Sequence, residues 1–88
     1  MLFIKKTITE AMNLPREVLL NLPLITISGK DEILIENHKG IISADETLLK
    51  VKSTCGIIKL EGENLYIKEI SPDFVKVAGK LEKLEFLI

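Results

Sequence analysis

The 88-residue chain has no tryptophan, one tyrosine and three phenylalanines. Its core must therefore be built mainly from Ile, Leu and Val rather than around large rings. One cysteine, Cys55, excludes an internal disulfide and fits a reducing compartment. Neither sign of charge dominates: 12 basic against 13 acidic residues leave a net charge of −1. The chain thus lacks the positive field that draws a protein to a phosphate backbone, and nucleic acid is excluded as an expected partner. Long apolar runs are missing too. Stretches such as Val18-Leu19-Leu20 fall far short of the roughly 20 residues a bilayer crossing needs, which excludes direct transmembrane insertion. The opening Met1-Leu2-Phe3-Ile4-Lys5-Lys6 places its apolar residues before its charges, unlike a secretory signal, so a cytoplasmic protein is expected.

What is present is a folding composition. Hydrophobic residues make up 47% and charged residues 28%, enough apolar surface to offset chain entropy. The length accommodates a single domain, residues 1–88. Domains of this size come out near energetic balance, which makes a homo-oligomer a reasonable source of extra stability.

The hydrophobic period changes near Leu22. Before it, Ile4, Ile8, Ala11 and Met12 recur at spacings of three and four, and Pro15 can close one helical segment and open another. The pattern predicts a helical N-terminal segment over 1–21 and a β domain over 22–88. Beyond Pro23 the predicted strands are Leu24–Ser28, Ile33–Asn37, Ile41–Ala44, Thr47–Lys52, Gly56–Glu61, Leu65–Ile70, Phe74–Ala78 and Leu81–Ile88. Turn chemistry separates them at Gly29-Lys30-Asp31, His38-Lys39-Gly40, Gly62-Glu63-Asn64, Ser71-Pro72-Asp73 and Gly79-Lys80, among others.

Alternation within runs such as Ile58-Lys59-Leu60-Glu61 gives each strand one buried and one wet face. Loops this short cannot carry parallel crossovers, so the expected fold is all-β, an antiparallel meander forming a small sandwich or partly open barrel. A short β-solenoid is the alternative. It is disfavoured because the five glycines are separated by 11, 16, 6 and 17 residues, with no constant step.

Chemistry has few places to reside. His38 needs a nucleophile or an orienting carboxylate to act as a base, and only Glu36 lies near it in sequence. A polar turn residue, with Gly40 supplying the left-handed backbone, is the plainer reading. Cys55 reads as a small, partly buried filler; with His38 it offers two metal ligands where zinc takes three or four. Gly29-Lys30 and Gly79-Lys80 lack the remainder of a phosphate-binding loop. No catalytic, cofactor-binding or metal-binding residue is assigned, and the chain is read as a non-enzyme. The candidate contact surface is Phe3, Ile4, Phe86, Leu87 and Ile88, where apolar residues gather at the two ends of the sequence. An alternative is a small-ligand or lipid-binding barrel with a pocket lined by residues such as Ile33, Leu49 and Ile67.

Four segments in order carry a resemblance. They are Leu22-Pro23-Leu24-Ile25-Thr26-Ile27-Ser28-Gly29, Ile35-Glu36-Asn37-His38-Lys39-Gly40-Ile41, the run from Gly56 through Gly62-Glu63-Asn64-Leu65, and Val77-Ala78-Gly79 through Phe86. Together they resemble the YabP/YqfC family of sporulation proteins, with Leu14-Pro15-Arg16-Glu17-Val18 similar to its YqfC branch. Leu24, where a basic residue is expected, and Cys55 depart from the pattern. The family motif falls on Pro23, Gly29, Asn37, His38, Gly40, Gly62, Asn64 and Gly79, read as structural turns. The resemblance implies endospore formation in a Gram-positive bacterium, in the mother cell, at or near the membrane around the forespore. It also implies association with a YqfD-like membrane protein.

Overall fold

The computed structural model describes residues 21–88. The predicted N-terminal helical segment lies almost wholly outside them. Six strands follow in chain order: β1 (Leu24–Ser28), β2 (Glu32–Glu36), β3 (Ile41–Ala44), β4 (Leu48–Ser53), β5 (Gly56–Ile70) and β6 (Phe74–Leu87). They form one open antiparallel sheet in the order β1-β2-β6-β5-β4-β3. All neighbours are antiparallel, an arrangement that a β-solenoid does not have.

Two features differ from the expected meander of eight short strands. First, the segments expected on either side of Gly62-Glu63-Asn64 are one strand of 15 residues, and those flanking Gly79-Lys80 are one of 14. The intervening residues are irregularities of the ladder between β5 and β6, not hairpin turns. Second, β2 does not pair with its successor β3 but with β6, through Ile33↔Val77 and Ile35↔Val75.

The long β5–β6 hairpin is bent back on itself, as two hydrogen bonds show. Asn37 N–H donates to Asp73 O at 2.8 Å, and Lys39 N–H donates to Lys52 O at 2.7 Å. Two residues of chain reach about 7 Å. Asp73 stands just before the start of β6, while Lys52 lies beside Ile57, whose partner is Leu87 near the end of β6. In a flat sheet those points would stand about 45 Å apart at ~3.3 Å per residue. Only a folded hairpin brings them together.

The bend falls where glycine is required. A Cβ on Gly62 would strike the carbonyl oxygen of Lys80, and one on Gly79 would sit 2.5 Å from that of Asn64. Gly79 also holds φ at +126° and Asn64 at +54°, conformations most side chains avoid. Bending turns the apolar faces of both halves inward. Ile33, Ile35, Val75 and Val77 from one half meet Leu49, Val51, Ile58 and Leu60 from the other, with Leu65 at the fold, in one fully aliphatic core.

Candidate interaction surface

The family-motif residues are gathered at two places. Gly62, Asn64 and Gly79 form the bend. Pro23, Asn37, His38 and Gly40 meet at the opposite end, where the chain crosses from β2 to β3. Gly29 stands apart, in the β1–β2 turn with φ of +60°.

Among the described residues no buried side-chain polar atom lacks a hydrogen-bond partner, those at the crossover included. Asn37, at φ +65°, turns the chain, and its Nδ2 donates to Leu22 O at 2.9 Å, holding the residue before Pro23. His38 is buried. Gly40 N–H donates to its Nδ1 at 3.0 Å, so Nδ1 carries no proton and the hydrogen rests on Nε2, which donates to Ser71 O at 2.9 Å. The ring is a neutral brace between the crossover and the β5–β6 turn. It is more than a turn residue, and Glu36 is not among its hydrogen-bond partners. Thr54 Oγ1 donates to Asn21 O at 2.6 Å, fixing where the N-terminal segment leaves the β domain.

That exit adjoins the end of β6, because a Cβ on Gly56 would strike Leu87 O. Phe86 pairs with buried Ile58 yet is 47% exposed; Leu87 is half-buried against Ile57, and Ile88 is exposed. Phe3 and Ile4, the other candidate contact residues, lie outside the described residues. Further exposed apolar side chains stand on the sheet edges, Leu24 and Ile27 on β1 and Ile42 on β3, and on the distal part of β5, Tyr66 and Ile70. Cys55 is exposed rather than partly buried, at the tip of the β4–β5 turn.

The outer faces are charge-balanced. Lys59 bonds Glu61 at 3.0 Å and Glu85 at 3.3 Å, while Lys83 reaches Glu85 at 3.4 Å. Donating hydrogen bonds to Glu61 and Glu85 raises the Lys59 ammonium above its ordinary value, and accepting from Lys59, with the charge of Lys83 nearby, lowers the Glu85 carboxyl. Lys68 and Glu32, 2.8 Å apart, shift one another in the same way, Lys68 up and Glu32 down. Asp45 is lowered by backbone N–H donation from Thr47 and Leu48, which closes the β3–β4 turn.

Concavities are shallow. One of about 610 Å³ is lined by Lys30, Lys68, Lys80, Asp31, Glu32 and Glu63 around Tyr66, together with Ala78 and Gly79. Leu49, Leu65 and Ile67 do share a hollow of about 250 Å³, but Ile33 lies in the filled core away from it. Ligand sites usually offer roughly 300–1,000 Å³. Among the described residues no three of His, Cys, Asp and Glu are grouped to hold a metal ion. Nor is any described helix long and apolar enough to cross a membrane.

The sequence profile of the YabP family matches residues 22–87, the whole β domain but its last residue. The chain belongs to the YabP family. Its similarity to the uncharacterized protein YqfC of Bacillus subtilis (strain 168) is 30% identity over 83 residues, covering 94% of this chain and 89% of that protein. No solved structure matches. The matched span of the YabP family thus contains both the bend and the crossover. Thr54, Ser71 and Asp45 lie in segments that read as turns, and the hydrogen bonds by which they hold those turns are a finding of the structure. The Thr54 and Ser71 hydroxyl and carbonyl partners lie 33 residues away, beyond any local signal; Asp45 two residues before Thr47 was legible as an Asx turn.

Proposed function

We propose that this protein is a non-enzymatic interaction module of endospore formation. It acts in the mother cell at or near the membrane surrounding the forespore, with a YqfD-like membrane protein as partner and with copies of itself. The observation that carries this reading is the distribution of apolar surface. The core is filled by aliphatic side chains, while Leu24, Ile27, Ile42 and Phe86 remain exposed at the sheet edges and the end of β6. Exposed apolar groups so placed are contact sites in waiting, available to strand pairing or to a flat patch. Membership of the YabP family supports the sporulation setting.

The test is co-expression of the full chain with the YqfD-like membrane protein of the same bacterium, followed by detergent extraction and capture. Wild type retains that protein and Phe86→Glu releases it at unchanged thermal stability. Failure of the wild type to retain it removes the partner from the proposal. The small-ligand or lipid alternative rests on the Leu49, Leu65 and Ile67 hollow. Saturable binding of a fatty acid that shifts the methyl signals of Leu65 and Ile67 would favour it instead.

A further inference from the structure

Among the described residues β1 and β3 are the outer strands of the sheet, and their edges are not equivalent. Edge strands expose a row of unpaired N–H and C=O groups, and proteins that stay monomeric blunt them with charge, proline or a bulge. Strand β3, four residues long, is blunted: its register with β4 shifts between Ile41 and Ser43, the mark of a bulge. Strand β1 has no such protection. Its five residues, Leu24-Ile25-Thr26-Ile27-Ser28, pair without interruption to β2, and none of them is charged or proline in a chain that is 28% charged. Among the described residues β1 pairs on one side only.

The sequence of β1 is also close to symmetric about Thr26, with an isoleucine on each side. We propose that β1 pairs with β1 of a second copy, antiparallel, about a two-fold axis at Thr26. This deepens the reading of the chain as an interaction module, on which it rests. An isologous contact needs a surface complementary to itself, and this strand supplies one. Thr26 would face its own counterpart, a favourable cross-strand pair. Ile25 of each copy would face Ile27 of the other, and Leu24 would face Ser28. Ile25 and Ile27 lie on the core side of the sheet, since their partners Ile35 and Ile33 are fully buried. Yet Ile27 is 47% exposed in the single chain. Pairing would extend the buried row from Ile33 through Ile27 to Ile25 of the partner, covering the apolar group that the lone sheet leaves open. No charges of like sign would meet along the seam.

Thr26 is exposed, so the single chain tolerates change there. Sedimentation of the full chain at hundreds of micromolar should give twice the chain mass of 9.9 kDa. Thr26→Lys and Thr26→Glu should each lose the dimer, with the dissociation constant weakened on the order of tenfold by like charges set directly opposite. An equimolar mixture of the two should recover it. As a check independent of folding strength, Thr26→Cys in a Cys55→Ser background should form an intermolecular disulfide under mild oxidation. Ser28→Cys in the same background should not, because Ser28 would face Leu24. A wild type that sediments as a monomer, variants that dimerise like wild type, or a mixture that stays monomeric overturns the proposal. Loss of self-association with capture of the YqfD-like protein intact would sink this inference alone; loss of that capture in wild type would sink the partner reading and leave this one standing.

Discussion

His38 and Ser71 are joined by a 2.9 Å hydrogen bond across 33 residues of chain, and the same imidazole accepts the Gly40 N–H on its other nitrogen. One buried ring thereby ties the β2-to-β3 crossover to the β5–β6 turn. The crossover is where the two halves of the bent sheet approach, so the histidine braces the join between them.

Removing that ring should cost stability. His38→Ala leaves the Gly40 N–H and the Ser71 carbonyl without their partner, and a loss of about 2–3 kcal/mol is expected in urea denaturation. The ring should also report its tautomer directly: nitrogen NMR should place the proton on Nε2. A proton on Nδ1 would contradict the assigned bonds.

The bend makes a second prediction. At Gly79 both the backbone conformation and the approach of Asn64 oppose a side chain, so Gly79→Ala should cost about 3 kcal/mol or more. Gly29 shares a positive φ but faces open space, and Gly29→Ala should cost only about 1 kcal/mol. The difference between their denaturation midpoints tests whether the strands are bent where the glycines lie.

Stability should fall at both ends of the pH scale. Asp45, Glu32 and Glu85 are held below their ordinary values of 3.8 and 4.5, so their contribution is present above those values and lost as pH falls through the lowered ones. Lys59 and Lys68 are raised above 10.5; their contribution is present below that value and lost as pH rises through the raised ones. Melting temperature followed against pH should form a plateau between these limits. Asp45→Ala should shrink the drop on the acid side and Lys59→Met the drop on the alkaline side.

Much of this fold is legible in the sequence where structure is local. Leu24–Ser28 and Ile41–Ala44 are strands with the bounds their alternation and flanking turns predict. What the sequence hides is of two kinds. Gly62-Glu63-Asn64 and Gly79-Lys80 use residues that suit tight reversals and bulges equally, since both need left-handed or crowded backbone. Only long-range packing decides between them. Likewise the pairing of β2 with β6 joins Ile35 to Val75 across the chain, and no local pattern encodes it. His38 reads as a turn residue because its neighbours are turn residues; its hydrogen bond to Ser71 O spans 33 residues. Among the contact residues, Phe86 was visible as part of an apolar run, whereas the asymmetry between the β1 and β3 edges required the register.

We propose that this protein works by apolar contact and not by chemistry. Heat-resistant spore yield in a deletion strain, complemented with variants matched for melting temperature, tests it most directly. Phe86→Glu and Ile42→Lys should reduce the yield at least tenfold, whereas Cys55→Ser and Tyr66→Phe, which alter the exposed thiol and phenol, should restore it fully. Full yield from both charged variants with failure of either conservative one would contradict the account.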